Sequence, residues 1–66
     1  MDVRVNGKRR PVRDGSTIHD LIVGLGFASR QVVIERNGEP VERSAFASVL
    51  LHDGDVVEVV RPVPGG

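Results

Sequence analysis

The sequence closes on "RPVPGG", and the types and order of those residues set out one specific piece of chemistry. Gly65 and Gly66 carry no side chains, so a narrow channel in another protein can admit their backbone and reach a carboxylate on Gly66. Pro62 and Pro64 each hold φ near about −65° and bias the residue before them towards extended geometry. Pro62, Val63 and Pro64 are therefore expected to project as a semi-rigid arm, with residues 62–66 forming a tail on a domain of residues 1–61. A carboxylate is a poor electrophile and must first be activated, normally by ATP as an acyl-adenylate. The chain has no phosphate-binding loop of its own: Gly24 and Gly26 make a G-x-G without a third glycine or a strand-to-helix setting. Activation would then fall to a partner enzyme. An incidental Gly-Gly end is the alternative reading of the same two residues.

Other chemistry is sparse. His19 and His52 have no cysteine near them and no H-x-x-x-H spacing, so a metal site is not expected. Ser16, Ser29, Ser44 and Ser48 lack the context of an activated nucleophile, and Ser16 is better read as a helix cap. Asp53 and Asp55 flank Gly54 without the further oxygen ligands of a calcium loop. The two aromatic residues, Phe27 and Phe46, are read as core rather than as platforms for nucleic-acid bases. The expectation is a protein that is not itself an enzyme and binds no cofactor.

The scaffold that must hold the tail is small. Sixty-six residues make one domain near the lower limit for folding without metal or disulfide, and there is no cysteine. No apolar run approaches the roughly 20 residues that span a bilayer, and the N-terminus lacks the layout of a secretory signal. A cytoplasmic location is expected, with no membrane partner. Nine basic and nine acidic residues cancel, which argues against nucleic-acid binding. The charges are segregated along the chain: residues 1–30 hold six bases and three acids, residues 31–60 six acids and two bases. Two readings stay open, ordinary solvated faces or an acidic docking surface, including Asp55 and Glu58, on the half that bears the tail.

Val3 and Val5 alternate with polar residues as in a half-buried strand, and Asn6-Gly7 suits a type I′ hairpin turn. Residues 8–13 should return as an edge strand, since Pro11 offers no N–H and the cations deter further pairing. Thr17 or Ser16 caps a helix of about three turns; Asp20 completes a capping box if Thr17 is the cap, and Gly26 ends it. Ile18, Leu21, Ile22 and Leu25 give that helix one apolar stripe. "QVVIER" reads as a well-buried third strand, Asn37-Gly38 as a second turn, "EPVER" as a short return, and "SAFA" as a helical turn presenting Phe46. "SVLL" is a short strand or connection, and "DVVEVVR" a strand in mid-sheet. A helix following a hairpin brings the next strand in parallel to the first. The expected fold is α+β, a β-grasp (ubiquitin-like) mixed sheet of four to five strands on one main helix, with a flexible C-terminal tail.

The stretches "VNGK", "DGSTIHDLI" and "RNGEPVERSAFASVLLHDGDVVEVV", with the closing "GG", resemble the ThiS family of sulfur carriers of thiamine biosynthesis. The resemblance covers nearly the whole chain. It implies that an E1-like adenylating enzyme of the ThiF type uses ATP and Mg to adenylate Gly66. It further implies that a persulfide donor converts Gly66 to a thiocarboxylate (1-thioglycine), which gives its sulfur to a thiazole synthase of the ThiG type. Gly66 would carry the sulfur, while Gly65, Pro64, Val63 and Pro62 thread the partners' active sites. The proline-rich ending departs from the family's pattern and is similar to that of MoaD, which uses the same chemistry for molybdopterin. A different sulfur acceptor, or a ubiquitin-like protein modifier, are the alternatives.

Overall fold

Two Asn-Gly turns and one capped helix account for most of the topology. The structure is a computed structural model, and residues 1–63 are described. Strands β1 (Asp2–Val5) and β2 (Lys8–Pro11) form an antiparallel hairpin, followed by helix α1 (Ile18–Gly24). Strands β3 (Val33–Arg36) and β4 (Glu39–Val41) form a second hairpin, and β5 (Val56–Val60) enters last. The sheet order is β2-β1-β5-β3-β4, with β5 parallel to β1 and antiparallel to β3. This is the mixed five-stranded β-grasp arrangement that the sequence pattern predicts, with β2 and its Pro11 at an edge.

Both turns hold their asparagine and glycine at positive φ, +50° and +83° at Asn6-Gly7 and +52° and +82° at Asn37-Gly38. That backbone follows the twist of the strands it joins, so each hairpin's register is fixed locally. The capping box at α1 is complete. The Thr17 hydroxyl accepts from the Asp20 N–H at 3.1 Å, and the Thr17 N–H donates to the Asp20 carboxylate at 2.9 Å. That backbone hydrogen bond, with the one from the Thr17 side chain, holds the Asp20 carboxyl below its ordinary value. Leu25 caps the helix and Gly26 follows at φ +86°, so α1 spans seven residues, nearer two turns than the expected three. Leu25 lies past the last full turn and is only partly buried.

Ile18, Ile22, Ile34 and Val57 are fully buried between α1 and one face of the sheet, together with Phe46, which a 3₁₀ turn at Arg43–Ala45 delivers as expected. Among the described residues no element covers the other sheet face, which changes the reading of the apolar runs. Of Val32-Val33-Ile34, the first and third are buried, while Val33 is 51% exposed. In β5, Val57 is buried but Val56 and Val60 are exposed. A central strand with one open face alternates even when both sets of side chains are valine. "SVLL" forms no strand; Leu50 makes a single bridge to Thr17 at the entrance of the helix. No helix among the described residues is long and apolar enough to cross a membrane.

Candidate functional site: the last strand and the root of the tail

Anything the tail does depends on how β5 is held. Its flanks are gripped by the two turn asparagines. On the β1 side, the Asn6 side chain accepts from the Val59 N–H at 2.8 Å and donates to the Val59 carbonyl at 3.1 Å. On the β3 side, the Asn37 side chain accepts from the Val56 N–H at 2.9 Å and donates to the Asp55 carboxylate at 3.0 Å. Each carboxamide thus extends its own strand's ladder by one rung. The sequence showed these residues only as turn formers. Their second task depends on which strand lies alongside, and no local pattern reports that.

Asn6→Gly and Asn37→Gly keep the positive φ and delete the rungs. Each is expected to lower stability by about 1–2 kcal/mol. Asn37→Gly should have the larger effect, because it also strips a hydrogen bond from Asp55. Urea unfolding midpoints measured side by side check the ranking.

Asp55 is the one buried charged residue among those described, 6% exposed. Its carboxylate accepts from the Asn37 side chain and from the His52 N–H at 2.8 Å, with the Arg36 guanidinium 3.6 Å away. Burial pushes this carboxyl up, but the Asn37 and His52 hydrogen bonds and the charge of Arg36 outweigh it, leaving the group below its ordinary value. The expectation that Asp55 belongs to an acidic docking surface is therefore corrected: it is an internal brace at the start of β5. Glu58 does lie on the open face, in register with Glu35 of β3.

At the far end of β5 the chain continues through Arg61, Pro62 and Val63, the last 87% exposed. The Arg61 guanidinium lies over the Phe27 ring at 5.7 Å from its centroid. Arg30, Gln31, Arg61 and Pro62 line a shallow groove of about 270 Å³ here. Of the tail residues singled out in the sequence, Pro62 and Val63 thus follow directly from the central strand. Pro64, Gly65 and Gly66 lie outside the described residues. His19 is at the surface, its Nδ1 3.4 Å from the Ser29 hydroxyl. Among the described residues no three histidine or acidic side chains gather as a metal site would require.

A mixed sheet on one helix, with a C-terminal arm leaving the central strand, places the molecule in the β-grasp, ubiquitin-like class. More narrowly, the chain belongs to the ThiS family, whose sequence profile matches residues 3–66. It is 35% identical to the sulfur carrier protein ThiS of Bacillus subtilis, over 97% of this chain and 98% of that protein. The crystal structure of the thiamine biosynthesis protein ThiS of Geobacter metallireducens superposes with a TM-score of 0.84, at 36% identity and full coverage of both chains. The chain is also 38% identical to a thiazole synthase of Magnetococcus marinus, but spans only 20% of that protein's length.

Proposed function

We propose that this protein is a carrier whose Gly66 carboxylate is adenylated, converted to a thiocarboxylate and used as the sulfur source for the thiazole ring of thiamine. The observation that carries the reading is ThiS-family membership, supported by a Gly65-Gly66 pair that follows the last strand in the sequence. In the first step a carboxylate oxygen attacks the α-phosphate of ATP on an E1-like enzyme, with Mg present, and pyrophosphate leaves. In the second, persulfide sulfur attacks the acyl carbon and AMP leaves. Thiol reduction of the resulting acyl disulfide frees the thiocarboxylate. The chain's own contribution is geometric. Gly65 and Gly66 have no Cβ to obstruct a narrow channel, and Pro62 biases the residue before it towards extended geometry. Catalysis resides in the partners, and the absence of cysteine is suited to a carrier that bears sulfur on its main chain.

A thiazole synthase of the ThiG type as the receiving partner is supported by the stretch similar to this chain within the longer Magnetococcus protein. One feature favours a second reading: the Pro-Val-Pro arm is similar to that of carriers serving molybdopterin, which changes the acceptor and not the carrier chemistry.

Exchange of radiolabelled pyrophosphate into ATP tests the first step. An E1-like enzyme from the same host should catalyse exchange only when this chain is added. Exchange that is indifferent to the chain would contradict the proposal.

A further inference from the structure

Division of charge along the sequence puts the tail in the acidic half, yet the folded chain roots it among arginines. Arg30, from the 3₁₀ turn after Phe27, and Arg61 line one groove with Gln31 and Pro62, and among the described residues no carboxylate lines it with them. Both arginines are exposed and, among the described residues, neither makes an ion pair or hydrogen bond. Arg36 and Arg43 are different: their guanidiniums donate to the Leu50 carbonyl and to the Ser29 and Val32 carbonyls, respectively. The Phe27 ring holds Arg61 in place, so its charge is presented with part of the ordering cost already met.

We infer that Arg30 and Arg61 form a cationic collar that docks against carboxylates at the mouth of the activating enzyme's channel as the tail enters. The inference rests on the proposed adenylation, because the collar sits where Pro62 would pass into such a channel. A protein surface fits better than a small anion: the groove is shallow, and neither guanidinium is buried to strip water from a free phosphate. Exposed charges at a rim chiefly speed encounter and set partner choice, and salt screens them.

The test uses the full chain in the pyrophosphate exchange assay. The Arg30→Glu/Arg61→Glu double variant should raise the KM for the chain about tenfold at low salt, with a much smaller fall in kcat. That gap should close as salt rises. Phe27→Leu keeps both charges but frees Arg61, and should raise KM by only about threefold. Thermal midpoints of the variants guard against misfolding. An unchanged KM for the double variant, with normal exchange on the parent chain, would overturn the collar and leave the proposed function standing. Loss of exchange with the parent chain itself would overturn both. If pyrophosphate alone shifts the arginine Nε resonances while KM stays unchanged, the groove is a small-anion site and the docking role is wrong.

Discussion

Deleting Gly66 should abolish adenylation while leaving the thermal midpoint within the error of the parent protein. The core is built from Val3 to Val57, and the last sheet pairing is Val33 with Val60. Removing a residue six positions beyond Val60 should therefore cost less than about 0.5 kcal/mol. The shortened chain would end on Gly65, and its carboxylate would fall roughly 3.5 Å short of the reacting position. A misplacement of that size removes the near-attack geometry and should lower the exchange rate by at least about 100-fold. Gly66→Ala probes the channel differently, keeping the reach and adding one methyl. Calorimetry and exchange on the same preparations give both halves of the result. An active deletion variant would remove Gly66 from the chemistry.

Asp55→Asn is expected to be the most damaging polar substitution in the folded domain, lowering stability by about 2–3 kcal/mol. The amide can still accept from Asn37, but it has only one oxygen, and its NH₂ would face the His52 N–H or leave the Arg36 charge unanswered. The effect has a pH signature. The folded carboxyl lies below its ordinary value, so its ionised form is what folding favours. Its contribution is complete above the unfolded value of about 3.9 and is lost as pH falls through the lower folded value. The parent protein should thus lose stability on acidification below about pH 5, and Asp55→Asn should show a shallower slope there. Urea midpoints between neutral pH and about pH 3 decide the matter, and parallel slopes would count against the brace.

Much of the architecture was legible because it is locally encoded. Asn-Gly turns, the Thr17–Asp20 capping box and the glycine after Leu25 each involve residues only a few positions apart. Pro11 marked its strand as an edge, and the order hairpin, helix, strand implied the parallel pairing. What the sequence concealed is set by long-range neighbours. A run of valines does not say whether a sheet has one covered face or two, so Val33 and Val56 looked more buried than they are. Asp55 read as turn chemistry or surface charge because its partners, Asn37 and Arg36, lie on another hairpin. Arg61 and Phe27 meet through the fold alone, and with Arg30 they reverse the charge that the acidic half seemed to give the tail. Of the candidate site, the described residues reach only Pro62 and Val63; the reading of Gly65 and Gly66 rests on residue type and chain order alone.

The central claim is that sulfur travels on the main-chain terminus. Fragmentation of the intact protein by mass spectrometry, after incubation with ATP, Mg, the host's E1-like enzyme and a persulfide donor, tests it most directly. The account predicts exchange of one oxygen for sulfur, confined to fragments that contain Gly66 and lost on hydrolysis. Added mass must be located in this way because oxidation of Met1 gives almost the same increment. A Gly66 that remains a plain carboxylate under these conditions would contradict the claim.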